Sequence, residues 1–282
     1  MVLVTGANGQ LGHDVVRELN RRNIENIGLL RYDLDITDFE KVDGYISSQM
    51  PEAVIHCAAY TAVDKAEDEE ELCYTTNVTA TENIAKACKA NDIKMMYIST
   101  DYVFPGDGQN EYETEDKTGP LGVYGKTKLE GENKVKELLD KYFIIRISWV
   151  FGEHGNNFVK TMLKIGKDRA SVNVVSDQIG SPTYTADLAT LLCDMIQTEK
   201  YGIYHATNEG YCSWAEFAEE IFRLAGYTTK VNHIKTEEYP TKATRPKNSR
   251  LSKQSLDNNG FIRLPDWKAA LKNYIEILMM EK

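Results

Sequence analysis

The 282-residue chain has few cysteines, few prolines and no long apolar run. Its five cysteines are odd in number and show no Cys-x-x-Cys spacing, which argues against a disulfide framework and favours free thiols in a reducing cytoplasm. The apolar run over 142–151 is interrupted by Arg146 and falls short of the roughly 18 residues of a membrane span. The first residues lack a basic segment, so we expect no secretory signal and a cytoplasmic location.

Positive charge is also scarce: 33 basic against 43 acidic residues leave a net charge of −10. Such a surface repels phosphate backbones, so we expect no nucleic-acid partner. The histidines show no metal-ligand spacing, and no metal is expected. The length fits one large domain or two closely joined ones. The sequence leaves the oligomeric state open, a homodimer included.

The first half of the chain alternates short apolar runs with helical patterns. The predicted strands are 2–5, 26–30, 53–57, 94–99 and 142–147, and the predicted helices are 10–20, 38–49, 70–91 and 121–139. Strands that are apolar throughout and alternate with helices are typical of a parallel sheet covered on both faces. We therefore predict an α/β fold with a Rossmann-type, doubly wound parallel sheet.

The alternation weakens after Phe151, where Gly, Asn and Pro become frequent. An amphipathic helix over 214–225 has Ser213 as its expected N-cap and Gly226 as its stop, and 267–280 is the last predicted helix. We predict a dinucleotide-binding domain over 1–150, with about 184–204 added to it. The segments 151–183 and 205–282 would form a smaller, loop-rich substrate-binding lobe.

A glycine-rich segment joins the first strand to the first helix. Gly6, Gly9 and Gly12 are spaced GxxGxxG, a pattern that brings backbone amides and a helix N-terminus to a pyrophosphate. The alternative is a tight turn that needs glycine for geometry alone. Arg31 follows the second strand, where a cation can face a 2′-phosphate, but Asp33 and Asp35 come next. The choice between NADH and NADPH therefore stays open, and Arg31 could equally be a solvated surface charge.

Tyr124 and Lys128 are four residues apart on a predicted helix, so their side chains share one face. An ammonium beside a phenol lowers the pKa of the phenol towards the range useful for proton transfer. Thr100 ends a strand of the sheet, at the edge where parallel sheets bind ligands. Its hydroxyl could donate to a substrate carbonyl, although a strand-end cap is the simpler role for Thr100 alone.

These motifs together resemble the extended short-chain dehydrogenase/reductases, and within them the dTDP-4-dehydrorhamnose reductase family. The resemblance covers essentially the whole chain. Besides GxxGxxG and Tyr-x-x-x-Lys, it rests on the segments 57–67, 99–106, 146–150, 155–158, 177–178, 181–183 and 245–249. Each segment is short, but their number and order make coincidence improbable.

The resemblance implies reduction by NADH or NADPH of the 4-keto group of dTDP-6-deoxy-L-lyxo-4-hexulose, giving dTDP-L-rhamnose. It implies that Tyr124 donates a proton, that Lys128 holds the nicotinamide ribose, and that Thr100 orients the carbonyl. The implied cofactor contacts are Gly6, Asn8, Gly9, Gln10, Leu11, Gly12, Arg31, Asp35, Ile36, Ala58, Ala59, Tyr60, Thr61, Tyr124 and Lys128. The implied substrate contacts are Thr100, Asp101 and Trp149, to which Asn157 and Arg245 add donors suited to a diphosphate.

Several alternatives stay open at this point. Trp149 could be a core residue, and Arg245 could form a surface ion pair. Related sugar-nucleotide dehydratases have a glutamate where this chain has Tyr102, so elimination of water would lack its base. Reduction of another nucleotide-linked 4-keto sugar remains an alternative. So does a regulatory subunit that binds NADP without catalysis.

Overall fold

A computed structural model describes residues 1–280 of the chain. Its strands are β1 (Val2–Thr5), β2 (Asn26–Leu29), β3 (Ala53–His56), β4 (Lys94–Thr100), β5 (Tyr142–Ile147), β6 (Val150–Phe151), β7 (Ser171–Val175), β8 (Ile179–Gly180), β9 (Thr183–Tyr184), β10 (Gly202–His205), β11 (Cys212–Ser213), β12 (Lys230–Ile234) and β13 (Asn248–Ser249). Its helices are α1 (Gln10–Arg21), α2 (Phe39–Gln49), α3 (Val63–Ala66), α4 (Glu70–Tyr74), α5 (Ala80–Ala90), α6 (Val123–Leu138), α7 (Phe158–Asp168), α8 (Thr185–Ile196), α9 (Trp214–Ala225), α10 (Gln254–Asn258) and α11 (Trp267–Met280).

The main sheet has six parallel strands in the order β2-β1-β3-β4-β5-β10. Its central strands are buried on both faces, as in β3, where every residue is buried. Helices α1 and α8 pack on one face around a core that includes Val15 and Leu192. Helices α2, α5 and α6 cover the other face around Val42, Ile84 and Val135. The predicted Rossmann-type α/β fold is confirmed.

The strand order reverses direction at β1, which has β2 on one side and β3 on the other. Helix α1, which follows β1, lies on one face of the sheet, and the helices that follow β3 lie on the opposite face. A crevice therefore opens at the carboxyl ends of β1 and β3, which is where open parallel sheets bind ligands.

A second apolar core lies in the later part of the chain, between α7, α9, α11 and strands β7 and β12. Helix α9 begins with a capping box in which Ser213 and Glu216 bond each other's backbone amides, and it ends at Gly226 with φ of 70°. Both helix boundaries agree with the sequence prediction. A small sheet, β11-β8-β13, connects this core to the main sheet's crevice.

The predicted helix over 70–91 is present but is divided by a π turn over Thr75–Thr79. Asn77, in the middle of this turn, is buried, and its side chain bonds the loop that follows β3. The apolar periodicity of the sequence reveals the buried face of the helix. It does not reveal the π turn, which adds one residue to a single turn of that helix. Within residues 1–280, no helix combines the length and the hydropathy needed to cross a bilayer.

Candidate active site

A cavity of about 750 Å³ lies at the carboxyl ends of the central strands. Most of the residues that the sequence analysis assigned to a site share its wall. They are Gly6, Asn8, Gly9, Gln10, Leu11, Gly12, Arg31, Asp35, Ile36, Ala58, Ala59, Tyr60, Thr61, Thr100, Asp101, Tyr124, Lys128 and Trp149. Asn157 and Arg245 are the assigned residues that do not line it.

The glycine turn forms one end of this cavity. Gly6 has φ of 67°, and a Cβ on it would lie 2.7 Å from the backbone nitrogen of Ala58. A Cβ on Gly12 would lie 2.2 Å from the carbonyl oxygen of Gly6, so the first turn of α1 closes directly onto the β1 loop. Gly9 is the N-cap of α1 and offers no side-chain cap, which leaves the first amides of the helix open to an anion. This cradle fits the pyrophosphate of a dinucleotide.

The residues after β2 lie at the far end of the cavity. Arg31 and Asp35 are both exposed. Asp35 accepts hydrogen bonds from the Thr37 hydroxyl at 2.7 Å and the Thr37 amide at 3.0 Å. These bonds, the hydroxyl first, lower the pKa of Asp35, so its carboxylate stays charged at neutral pH. A cation and a carboxylate therefore both face the place where a ribose or its phosphate would lie.

The loop after β3 is tied to helix α6 through Asn77. The amide oxygen of Asn77 accepts the Tyr60 amide at 2.8 Å, and its nitrogen donates to the Thr127 hydroxyl at 3.1 Å. Thr127 lies between Tyr124 and Lys128 on α6, so one buried side chain fixes the cavity loop relative to that pair. The sequence analysis missed this role of Asn77. A poor helix former among β-branched residues inside a predicted helix was the available signal.

Tyr124 and Thr100 meet over the cavity. The Thr100 side chain lies near the phenol, and the ring of Tyr102 stands edge-on to Tyr124 at 5.4 Å between centroids. Burial raises the pKa of Tyr124 well above its ordinary value, and the nearby Thr100 hydroxyl only partly opposes this. The phenol is thus protonated at neutral pH, which is the form that can donate a proton.

Lys128 is 2% exposed and donates from Nζ to the carbonyl oxygen of Ile98 at 2.7 Å. Burial lowers the pKa of Lys128 to about 7, against the opposing field of Glu132. The structure therefore differs from the expectation that Lys128 lowers the pKa of Tyr124. Desolvation disfavours the charged form of both groups. It therefore keeps the phenol protonated and lowers the fraction of the amine that is protonated.

Asp101 is buried beside Thr100 at the tip of β4. Its carboxylate accepts the Thr100 hydroxyl at 3.0 Å and the Ser249 hydroxyl at 2.5 Å. Burial raises the pKa of Asp101 to about 6, and the two hydroxyl bonds act in the opposite direction. The bond to Ser249, in β13, connects the strand tip to the later part of the chain.

Two residues expected at a substrate diphosphate do not line this cavity. Asn157 is the N-cap of α7, and its amide nitrogen donates to Gln10, to the carbonyl of Gly152 and to the Tyr274 hydroxyl. Its donors are thus used within the protein, and it does not reach the cavity.

Arg245 lines a neighbouring hollow of about 520 Å³ and donates to Asp64 at 2.5 Å and to the Tyr102 hydroxyl at 3.1 Å. The pair of Arg245 and Asp64 is the ion pair that the sequence analysis kept as an alternative. The bond to Tyr102, which lines the cavity, is an additional contact. Trp149 does line the cavity, with φ of 50° and its indole stacked on Trp214.

Residues 1–280 match the family model described as the RmlD substrate binding domain. The chain belongs to this family. A curated relative, the dTDP-4-dehydrorhamnose reductase of Aggregatibacter actinomycetemcomitans, is 42% identical over 96% of this chain and 97% of its own length.

Two solved structures have nearly the same fold as this RmlD-family chain. A dTDP-4-dehydrorhamnose reductase of Clostridium acetobutylicum has a TM-score of 0.97 and 45% identity, with 99% of each chain covered. A dTDP-4-dehydrorhamnose reductase of Bacillus anthracis, solved in complex with NADP, has a TM-score of 0.95 and 44% identity, covering 100% of this chain and 99% of its own. The family, and with it the resemblance drawn from the motifs, is confirmed.

Proposed function

We propose that this chain is a dTDP-4-dehydrorhamnose reductase that uses NADH or NADPH. It reduces the 4-keto group of dTDP-6-deoxy-L-lyxo-4-hexulose and forms dTDP-L-rhamnose. The relatives named above support this substrate. The observation that carries the reaction type is that Tyr124, Lys128 and Thr100 line the same cavity as the glycine cradle.

The cavity fits a dinucleotide in two respects. The cradle of Gly6, Gly9 and Gly12 would hold the pyrophosphate, because the open amides at the start of α1 supply its hydrogen bonds. The exposed pair of Arg31 and Asp35 would border the adenosine half. When bound, the reduced dinucleotide supplies a hydride to the carbonyl carbon of the sugar.

Tyr124 supplies the proton that completes the reduction. As negative charge develops on the carbonyl oxygen, the Tyr124 hydroxyl transfers its proton to that oxygen, and a phenolate is left. The raised pKa of Tyr124 keeps the proton in place until this step. The Thr100 hydroxyl donates to Asp101 at 3.0 Å in the structure, and it would orient the same carbonyl oxygen by turning its proton towards that oxygen.

Lys128 has a positioning and electrostatic role. Its Nζ is fixed by the carbonyl of Ile98, one turn of helix from Tyr124, where an ammonium stabilises the phenolate as it forms. With a pKa of about 7, the amine exchanges its proton with solvent near neutral pH, so it can carry a positive charge during the reaction. Its place in the cavity wall would also let it bond a ribose hydroxyl.

Tyr102 supports reduction over elimination of water. Its hydroxyl accepts a hydrogen bond from the guanidinium of Arg245 at 3.1 Å, and its ring packs on Tyr124. Burial raises the pKa of Tyr102 to about 12, so it cannot serve as a base at neutral pH. Of the strand-tip carboxylates used by dehydratases, only that of Asp101 is present in this segment.

The test is to supply the purified protein with the 4-keto sugar nucleotide and to follow the absorbance of NADH and of NADPH, with identification of the product. Tyr124→Phe should lower kcat by at least about 100-fold while cofactor affinity persists, because the phenol acts only as the proton moves. Tyr74→Phe is the matched control, since Tyr74 bonds Glu130 on the exposed surface. A protein that binds the cofactor but oxidises neither NADH nor NADPH with any 4-keto sugar nucleotide would instead support a regulatory subunit.

We also propose that the protein acts in the cytoplasm. Its five cysteines are free, and four of them are buried. Burial raises the pKa of Cys88 to about 12, so this thiol remains protonated. Fractionation of cells that produce the full chain, with the reductase activity followed, tests the location.

A further inference from the structure

Trp149 is held in an unusual position at the cavity wall. It follows β5 with φ of 50°, a conformation that side chains other than glycine rarely adopt. Its carbonyl accepts the Thr183 amide at 3.1 Å. The preceding residue, Ser148, donates to the Ser181 carbonyl at 2.8 Å and accepts the Thr183 hydroxyl at 2.6 Å. Strained backbone that is fixed on all sides is a feature of functional sites.

The indole of Trp149 lies against two residues that do not line the cavity. Trp214 stacks on it with 3.8 Å between ring centroids and 14° between planes. Gly180 lies at its edge, where a Cβ would come within 2.9 Å of Cε2 and 3.1 Å of Cζ2. One face of the indole is therefore covered by an aromatic ring, and its edge is packed against a residue without a side chain.

The small sheet positions both residues that contact Trp149. Trp214 is the first residue of α9, directly after β11, and its start is fixed by the Ser213 capping box. Gly180 in β8 pairs with Cys212 of β11 on one side and with Ser249 of β13 on the other. Phe158 of α7 packs on the outer side of Trp214 at 4.7 Å. The backing of Trp149 is thus a packed layer with little freedom to adjust.

We propose that Trp214 and Gly180 are positioning residues that set the plane of Trp149 and thereby determine which hexose the cavity accepts. The inference rests on the proposed function and on the substrate contact that the family resemblance implies for Trp149, which lines the cavity. An indole with one face covered can offer its uncovered surface to the apolar face of a sugar ring. A tilt of that plane changes the space for the hexose without touching the dinucleotide cradle or Tyr124.

Removing the stacked ring is the direct test. Trp214→Leu should raise KM for the 4-keto sugar nucleotide about tenfold, the order of one aromatic stacking contact, with kcat changed less than about threefold. The Kd for NADPH should not change. Trp214→Phe, which keeps a ring, should recover most of the loss in KM.

Spectroscopy reports the stack independently of turnover. Two closely stacked indoles give an exciton couplet in far-ultraviolet circular dichroism, which Trp214→Leu should abolish. Trp267→Phe is the control, because Trp267 packs in the same core against Phe217 at 5.7 Å and lies outside the cavity wall. It should keep both the couplet and the parent KM.

Gly180→Ala tests the orientation of the Trp149 indole from the edge of its ring. Its new methyl group would lie 2.9 Å from the Trp149 indole and 3.0 Å from the Cβ of Ser249. Since the indole must yield to this contact, KM should rise and the KM ratio between two 4-keto hexoses should change while NADPH affinity holds. An active parent whose KM is unchanged in both Trp214→Leu and Gly180→Ala would overturn the inference. A parent that reduces no sugar nucleotide would refute the proposed function instead. Should Trp214→Leu fail to fold, Gly180→Ala decides the question.

Discussion

Replacing Lys128 with methionine tests how strongly the amine in the cavity wall is desolvated. Burial lowers the pKa of Lys128 to about 7, whereas a lysine in an unfolded chain has a pKa of about 10.4. Between these values the unfolded chain binds one more proton than the folded chain. The contribution of Lys128 to stability is therefore unfavourable below about pH 7 and is relieved as the pH rises towards 10.

The magnitude follows from the size of this difference in pKa. This difference between the folded and the unfolded pKa corresponds to a penalty of roughly 4–5 kcal/mol at pH 6 and about 2 kcal/mol at pH 9. Methionine retains most of the apolar stem but leaves the carbonyl of Ile98 without the 2.7 Å bond from Nζ. That loss costs about 1–3 kcal/mol at every pH. Lys128→Met should therefore be more stable than the parent at pH 6, by roughly 2–3 kcal/mol.

The assay is urea unfolding of the parent and the variant at pH 6 and at pH 9. The advantage of Lys128→Met should shrink by roughly 2–3 kcal/mol between the two pH values, because the parent gains stability there. Lys126→Met is the control, since Lys126 is exposed on the same helix, and its curves should run parallel to those of the parent. A stability difference for Lys128→Met that is the same at both pH values would refute the proposed desolvation.

Three further substitutions test other parts of the cavity. Gly12→Ala should weaken NADPH binding at least about tenfold, because its Cβ would meet the Gly6 carbonyl at 2.2 Å; the helical Gly44→Ala, with open space around it, should bind as the parent does. The stability advantage of Asp101→Asn over the parent should grow by roughly 2–3 kcal/mol from pH 4 to pH 7. The reason is that the raised pKa of Asp101 makes the parent lose stability over this range, and urea unfolding at both pH values measures the difference. Asn77→Ala should weaken NADPH binding about tenfold in a titration, because the loop at Tyr60 loses its anchor.

The main sheet was predictable because its signals are local. Strands such as β3 are apolar throughout, and each is followed by a helical pattern, so neighbouring residues suffice to assign them. The glycine turn and the Tyr124–Lys128 pair are likewise short motifs with fixed spacing. The topology of a parallel sheet then brings them to one edge without further information.

The contacts of the two predicted site residues that do not line the cavity could not be read from a local pattern. Asn157 and Arg245 have the right donors for a diphosphate, but Gln10 and Asp64, distant along the chain, occupy those donors in the fold. The pKa of Tyr124 was expected to fall because the sequence shows the nearby amine and not the burial. Desolvation is a property of the packed cavity, and here it outweighs the pairwise charge.

Several features that oppose stability surround this one cavity. Lys128 and Asp101 are buried where burial disfavours their charged forms, and Trp149 has a left-handed backbone. By contrast, the buried pair of Glu132 and Arg146 is bonded at 2.8 and 2.9 Å through both carboxylate oxygens. Unfavourable contributions gathered around a ligand cavity are expected where function, and not packing, determines the residue. Substitutions such as Lys128→Met and Asp101→Asn should therefore gain stability and lose activity together, which separates them from substitutions that merely damage the fold.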